Sequence, residues 1–208
     1  MEVILFPVIA YLLGSIPTAV WIGLKFYNTD VRNHGSKNAG ATNTFRVLGK
    51  KPGIIVLFID IIKGALAVTL PLILFSNSLE YNELVNIQLV CGITAIIGHI
   101  FPVFARFNGG KGVATSLGVV VGIHPPTAIV CIGLFLIFFL FTQMVSVGAL
   151  IAAIAFPLVL NFIFGNDNVW LTAFSIILSV AVIFAHRQNI KRLVNGEENK
   201  MNLFNNNS

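Results

Sequence analysis

The sequence predicts an all-α fold, a polytopic integral membrane helical bundle with about seven transmembrane helices. Charged residues make up only 10% of the 208 residues, whereas a typical globular protein has about 25%. Hydrophobic residues reach 56%, the mean hydropathy is +0.89, and 18 Phe are spread over several long apolar runs. A soluble domain could not cover its surface with so few charges, and a disordered chain has far fewer apolar residues.

The spans follow from the length of each apolar run, because a helix needs about 20 residues to cross roughly 30 Å of hydrocarbon. The first run starts without the basic stretch of a secretory signal, so we expect it to stay in the mature protein. The stretch 113–141 is interrupted by His124-Pro125-Pro126, and proline cannot continue a helix ladder. It is therefore one broken helix, two crossings or a re-entrant pair. Counted as two crossings, the spans are 3–24, 53–75, 84–104, 113–123, 127–141, 147–164 and 169–186.

The charges indicate the sidedness of the chain. Twelve of the 13 Lys and Arg residues lie in three stretches, which we call the first segment (25–52), the second segment (105–112) and the third segment (187–208). The positive-inside rule places all three in the cytoplasm. This distribution explains the net charge of +5 without a nucleic acid partner.

The second and third segments share one side only if an even number of crossings separates them. Seven spans, with the N-terminus outside and the C-terminus in the cytoplasm, satisfy this condition. Five spans with a re-entrant pair at 113–141 also satisfy it. We favour seven, although 113–123 as a helix is only about 16 Å long.

The first segment contains GSKNAGATNTFRVLGKK. Gly35 and Gly40 permit backbone conformations that turn successive N–H groups toward one point, which favours an anion. The residues 41–48 suit a short helix with Gly49 as its C-cap, so the anion would lie at a helix N-terminus. The alternative is a flexible loop whose cations meet anionic lipid.

The second segment ends in Gly109-Gly110-Lys111-Gly112, directly before an apolar helix. Three glycines around one lysine at this place predict a second phosphate cradle. It is not a nucleotide P-loop, because Ala105 and Gly112 stand where that motif needs Gly and Ser or Thr. The alternative is a tight turn between helices.

Other polar residues leave both structural and functional interpretations open. If the last helix continues, His186 and Asn189 share one face, and His186 is an acid, a base, a phosphate donor or only an interfacial side chain. Asp60 and Lys63 can pair within a span, where charges are functional candidates. His99 suits helix packing.

Several kinds of site are not indicated by the sequence. The four His and two Cys are not spaced as metal ligands, so no metal is expected. Neither a GxSxG serine elbow nor the His–Asp signature of thioester-using acyltransferases occurs. What remains is a set of anion cradles on one membrane face.

The motifs GSKNAGATNTFRVLGKK, GHIFPVFARFNGGKGVAT and HRQNIKRL resemble the three signature motifs of the bacterial acyl-phosphate:glycerol-3-phosphate acyltransferase family. DIIKG at 60–64 and Ser146 also fit, and the resemblance runs from about Leu13 to Leu193. Departures are small: Lys37, Asn108 and Gln188 replace residue types that are common in the family.

The resemblance implies acyl transfer from acyl phosphate to the sn-1 hydroxyl of glycerol 3-phosphate, without a cofactor. It also implies a multi-pass protein of the bacterial inner membrane with a cytoplasmic site, and a separate phosphate acyltransferase that supplies the donor. The catalytic residues implied are His186, Asn189, Lys111 and Arg46. The implied substrate-phosphate-binding residues are Ser36, Asn38, Gly40, Thr42, Asn43, Gly109, Gly110, Gly112 and Ser146.

Two other classes are weighed against this enzyme. A membrane transporter or channel for an organic phosphate would also collect phosphate ligands, but such proteins place them near the midplane between repeats. A scaffold for anionic lipid would need only basic residues, without the glycine-rich motifs.

Overall fold

The computed structural model describes residues 2–75 and 78–201, with side chains from residue 5 onward. The predicted third segment therefore continues, at 202–208, outside the described residues. Within the described ranges the regular structure is entirely helical, as predicted. The α-helices are α1 (Glu2–Gly14), α2 (Thr18–Tyr27), α3 (Ala41–Leu48), α4 (Lys50–Phe75), α5 (Tyr81–Ile100), α6 (Val113–Ile123), α7 (Pro125–Thr142), α8 (Val145–Leu158), α9 (Val169–Ala185) and α10 (Arg187–Val194).

All seven apolar segments predicted from the sequence are helical, but their lengths differ. In the described part of the chain, five stretches are long and apolar enough to cross a membrane: Leu5–Tyr27, Lys50–Phe75, Tyr81–Ala105, Pro125–Thr142 and Val145–Ile163. Helices α9 and α10 make a sixth if they count as one span across their 58° bend. Helix α6 has only 11 residues. The count of seven and the outside N-terminus stay predictions.

The first predicted span is two helices rather than one. Helix α1 ends at Gly14 and α2 begins at Thr18. Pro17, at the N-cap of α2, has no N–H to continue the ladder. A proline also marks the start of α7. Pro125 stands at the first position of this helix, where no backbone donor is needed.

The chain divides into two compact units, Met1–Pro125 and Pro126–Ser208. In the first unit, glycines let helix backbones touch. A Cβ atom on Gly64 of α4 would meet the Thr115 carbonyl of α6, and one on Gly118 of α6 would meet the Ile61 carbonyl of α4. The same reciprocal contact joins α1 to α5 (Gly14 on Ala95, and Gly98 on Tyr11). Such small-residue contacts hold helices together in lipid, where the hydrophobic effect between helices is absent.

The break between α1 and α2 is filled by the predicted charge pair of α4. Lys63 Nζ lies 2.9 Å from Asp60 Oδ1 and donates to the Ile16 carbonyl at 2.8 Å. Thr18 Oγ1 donates to the same Asp60 oxygen at 3.1 Å. The pair thus has a structural role, because Lys63 adds a second donor to the Ile16 carbonyl, which accepts the Thr18 N–H at 3.0 Å where the helix is broken.

In the second unit, α8 continues into a π-helical turn, Val159–Ile163. Asn161 Oδ1 accepts a hydrogen bond from Thr172 Oγ1 at 2.6 Å, which joins this turn to α9. Asn168 caps α9, since its Oδ1 accepts the Leu171 N–H at 2.9 Å. These contacts fix the turn between the last two apolar helices.

Candidate active site

The first segment is organised around one buried side chain. Asn43, on α3, is 1% exposed. Its Oδ1 accepts the Ser36 N–H at 2.8 Å, and its Nδ2 donates to the carbonyls of Val31 (2.8 Å) and His34 (3.1 Å). Both amide hydrogens are therefore engaged by the loop itself. Asn43 therefore fixes the conformation of this loop, and a direct contact from Asn43 to phosphate stays a prediction.

The residues around Asn43 form an exposed polar surface beside α3. Gly35 has a positive φ of 58°, and the Cδ atom of Arg46 lies beside it. Asn38 Oδ1 lies close to Gly40, the N-cap of α3. Ser36, Thr42 and Arg46 are exposed. The predicted helix 41–48 is confirmed, as is its C-cap at Gly49, whose φ is 96°.

The second segment is held against the end of α5. The Gly109 N–H donates to the Ile100 carbonyl at 3.2 Å, and the Gly110 N–H donates to the His99 carbonyl at 3.1 Å. A Cβ on Gly109 would meet the His99 carbonyl, and one on Gly110 would meet His99 Nε2. These two glycines are thus required for close packing, and their N–H groups already have partners within the protein.

The capacity of the second segment to bind an anion lies farther along the chain. Gly112, with φ 78°, is the N-cap of α6, and its carbonyl accepts the Ser116 N–H at 2.7 Å. The N–H groups before Ser116 form the positive end of α6. Lys111 is half-buried next to them. The expected cradle therefore consists of Lys111 and the first turn of α6 rather than the amides of Gly109 and Gly110.

The first and second segments are joined by Arg32, which the sequence analysis did not single out. Its guanidinium forms an ion pair with Asp30, with Nη2 2.7 Å from Oδ2, and its Nη1 donates to the Ala105 carbonyl at 3.0 Å. The hydrogen bonds from Arg32 lower the pKa of Asp30 despite the opposing effect of burial. The only sequence signal is the Asp-x-Arg spacing, which is too common to be diagnostic.

In the second unit, two predicted site residues meet on one carboxylate. Ser146 Oγ donates to Glu198 Oε1 at 2.9 Å, and Asn189 Nδ2 donates to the same oxygen at 2.8 Å. Arg192 Nε reaches Oε2 at 2.8 Å. Burial acts to raise the pKa of Glu198, but the hydrogen bonds from Asn189, Arg192 and Ser146 outweigh it and lower that pKa. Sequence reasoning missed Glu198 because nothing periodic connects it to Asn189 or Ser146.

His186 lies at the bend between α9 and α10 and is 6% exposed. Its Nδ1 is 2.8 Å from the Val182 carbonyl. A carbonyl can only accept, so Nδ1 carries the hydrogen, and in the neutral ring Nε2 carries a lone pair. This tautomer is inferred from the hydrogen bond, and it suits His186 to accept a proton at Nε2.

The described residues contain no group of three or more His, Cys, Asp or Glu side chains that could hold a metal ion. The first unit places the first and second segments in contact through Arg32. The second unit gathers Ser146 and Asn189 on Glu198.

Fold and site together define an integral membrane protein whose polar segments, at the ends of apolar helices, suit ligands that carry phosphate. Comparison with known proteins identifies the family. Residues 4–196 match the family model described as "Glycerol-3-phosphate acyltransferase". A relative from Bacillus anthracis, "Glycerol-3-phosphate acyltransferase 2", is 46% identical over 93% of this chain and 96% of its own length. A glycerol-3-phosphate acyltransferase of Chlorobaculum tepidum is 41% identical over 93% of this chain and 94% of its own.

The fold is similar to that of a solved structure as well. The crystal structure of PlsY, an integral membrane glycerol 3-phosphate acyltransferase, in its glycerol 3-phosphate form, superposes with a TM-score of 0.85 and 36% identity over 99% of this chain and 100% of that one. The lysophosphatidic acid form of PlsY has a TM-score of 0.81 and 35% identity, over 97% of this chain and 96% of that one. The chain belongs to the glycerol-3-phosphate acyltransferase family and is a multi-pass membrane acyltransferase.

Proposed function

We propose that the protein transfers a fatty acyl group from acyl phosphate to the sn-1 hydroxyl of glycerol 3-phosphate. The products are 1-acylglycerol 3-phosphate (lysophosphatidate) and inorganic phosphate, as in phospholipid biosynthesis. Family membership supports acyl transfer and the acceptor. The observation that supports a second phosphate substrate is the pair of segments in the first unit, each of which leads into a helix N-terminus and carries a cation. Lys111 directly precedes the N-cap of α6, and Arg46 lies in the last turn of α3 with its Cδ beside Gly35.

The proposed reaction needs no acyl-enzyme intermediate. Acyl phosphate is a mixed anhydride with a good leaving group, so orientation and charge stabilisation supply most of the catalysis. The acceptor oxygen forms the new ester bond as the bond from the acyl carbon to the phosphate oxygen breaks. The proton of the hydroxyl passes either to the departing phosphate or to His186 Nε2.

The polar and charged site residues have proposed roles in binding the substrates. Arg46 and Lys111 supply positive charge, and Lys111 stabilises the departing phosphate. Ser36, Asn38 and Thr42 contribute polar groups near the start of α3. In the second unit, Ser146 and Asn189 act on the substrate together with His186, in an arrangement held by Glu198.

The proposed location is the bacterial inner membrane, with the site facing the cytoplasm. The Lys and Arg asymmetry supports this orientation. Glycerol 3-phosphate would enter from water and the acyl chain from the bilayer. A separate phosphate acyltransferase would supply the acyl phosphate.

The test of the function is an assay of the purified protein with acyl phosphate and glycerol 3-phosphate. We expect equal amounts of inorganic phosphate and lysophosphatidate, with the acyl group on the sn-1 oxygen. Acyl-coenzyme A and acyl carrier protein should give no product above background, because their acyl carbon is bonded to sulfur and carries no phosphate for the segments to bind. Comparable turnover with either thioester, without a phosphate-converting enzyme, would contradict the proposed donor.

The test of the orientation uses single cysteines in a background without Cys91 and Cys131. Cysteines at Asn28, Asn108 and Asn202 should resist a membrane-impermeant thiol reagent in intact cells, whereas one at Asn82 should react. Asn202 lies outside the described residues. Labelling at Asn202 but not at Asn108 would show an odd number of crossings between them and exclude the seven-span model.

A further inference from the structure

Arg32 holds two stretches of chain that are far apart in the sequence. On its own side it is fixed by Asp30, whose Oδ1 accepts both the Arg32 backbone N–H and Nε, each at 3.0 Å. On the other side Nη1 donates to the Ala105 carbonyl at 3.0 Å and approaches the Asn108 carbonyl at 3.5 Å. A planar guanidinium can serve a carboxylate and a carbonyl at once, whereas an ammonium cannot match this geometry.

The turn that Arg32 reaches has an unfavourable backbone. Arg106 and Phe107 both have positive φ angles, 56° and 59°, a conformation that side chains other than glycine rarely adopt. The Phe107 N–H donates to the Pro102 carbonyl at 2.9 Å, and the Asn108 N–H to the Ala105 carbonyl at 3.2 Å. Arg32 therefore binds the two carbonyls that bracket this strained pair, immediately before Gly109.

We propose that Arg32 is a positioning residue for the second segment: by binding the Ala105 and Asn108 carbonyls, it holds the strained turn in the conformation that presents Lys111 and the start of α6 to a substrate phosphate. The proposal rests on the proposed function of the second segment. A loop that is only partly in its binding conformation has a weaker apparent affinity, in proportion to the missing fraction. Once phosphate is bound, the ligand itself holds the loop, so the effect falls on KM rather than on kcat.

The experiment compares Arg32→Lys with Arg106→Lys. Both substitutions exchange guanidinium for ammonium, and Arg106 lies in the same turn, exposed to solvent. We expect Arg32→Lys to raise the KM for acyl phosphate or for glycerol 3-phosphate about fivefold to tenfold, with kcat within threefold of wild type. Arg106→Lys should leave both constants within twofold. Asp30→Asn, which removes the ionic anchor but keeps the guanidinium, should fall between them.

Amide hydrogen exchange tests whether the Arg32 hydrogen bonds order the second segment, without reference to activity. The N–H groups of Gly109 and Gly110, which donate to the end of α5, should exchange several-fold faster in Arg32→Lys than in wild type or Arg106→Lys. A loss of kcat with unchanged KM would mean a smaller folded fraction, and it would overturn the positioning role. Faster exchange with unchanged KM would also overturn the positioning role, because the Arg32 hydrogen bonds would then order the segment without affecting substrate binding.

A different variant, Lys111→Ala, tests the proposed function of the second segment separately from the role of Arg32. If Lys111→Ala has normal kinetics, the second segment is not a phosphate site. The exchange rates of Arg32→Lys then still decide whether Arg32 orders this segment. Unchanged exchange together with unchanged KM in Arg32→Lys would overturn the inference, whatever Lys111→Ala does.

Discussion

The first and second segments carry similar glycine-rich motifs, but they are held in opposite ways. The first segment contains its own support, because Asn43 binds the backbone at Val31, His34 and Ser36. The second segment is held from outside, by carbonyls at the end of α5 and by Arg32 of the first segment. A self-supported loop is shaped by its own side chains, whereas a loop supported from outside depends on elements that must first fold correctly.

The largest loss of activity should come from replacing the one cation that each segment is proposed to use for phosphate binding. Lys111→Ala and Arg46→Lys should each reduce turnover by roughly 10²–10³, or about 3–4 kcal/mol, as the loss of a donor to developing charge typically does. Lysine replaces Arg46 poorly because it cannot make a two-pronged contact. The measurement is kcat of purified, folded protein at saturating substrate.

Lys200→Ala is the control for these cations, because Lys200 is exposed after the last helix. We expect it to be nearly normal. If both Lys111→Ala and Arg46→Lys kept turnover within about threefold of wild type, which is under 1 kcal/mol, neither segment would be a phosphate cradle. The cations would then act only as topology signals.

The next effect tests whether the first segment really supports itself. Asn43→Ala removes three hydrogen bonds and leaves backbone groups without their partner, so we expect about 3 kcal/mol of local destabilisation. Activity should fall at least tenfold, and proteolysis should cleave faster between 28 and 40. Asn33→Ala is the matched control, because Asn33 is an exposed asparagine in the same loop. A normal Asn43→Ala enzyme would show that the loop needs no internal support.

Gly110→Ala tests the contact of the second segment with the end of α5. In Gly110→Ala the new methyl group meets the buried ring of His99, and overpacking of this kind costs about 1–3 kcal/mol. We expect roughly a tenfold loss of activity. Gly133→Ala is the control, since nothing lies within 4 Å of the added atom.

A double-mutant cycle identifies the cause of this loss. If His99 is the obstacle, Gly110→Ala should have little further effect in a His99→Ala background. Equal losses in both backgrounds would show that the His99 ring is not the obstacle.

The difference between local support and support from distant residues also explains which features could be predicted from the sequence. Helix α3 and its C-cap Gly49 were predicted closely, because capping and helix propensity are local. The apolar helices follow from hydropathy alone. The break at Ile16 was missed, because a single Pro17 within an apolar run does not show whether a helix continues or ends.

The contacts made across space could not be predicted. The sequence indicated that Gly109 and Gly110 would present their N–H groups to an anion, but those groups bind the end of α5. Nothing local connects Arg32 to Ala105 or Glu198 to Ser146, which lie 73 and 52 residues apart. Only tertiary packing brings such residues together.

The third segment offers the smallest and most selective test, because it is supported by its own tail. Glu198 binds Ser146, Asn189 and Arg192. In Glu198→Gln the amide oxygen can still accept two of these hydrogen bonds, but the amide nitrogen faces the Arg192 donor. We expect a loss of about 1–3 kcal/mol in stability, and a reduction in activity of only a few-fold at pH 7. The measurement is the thermal midpoint of the purified protein, with Glu197→Gln, an exposed neighbour, as the control.

The pH dependence of this loss identifies the carboxylate as its source. The pKa of Glu198 is lowered from its ordinary value of 4.5, so the ionised group stabilises the folded state fully above about pH 4.5 and less as the pH falls through the lowered pKa. The difference in midpoint between wild type and Glu198→Gln should therefore be constant from about pH 6 to 8 and shrink in acid. Other carboxylates, such as Asp30, titrate in both proteins and cancel from the difference. A difference that persisted unchanged to pH 3 would mean that shape, not charge, makes Glu198 hold Ser146 and Asn189.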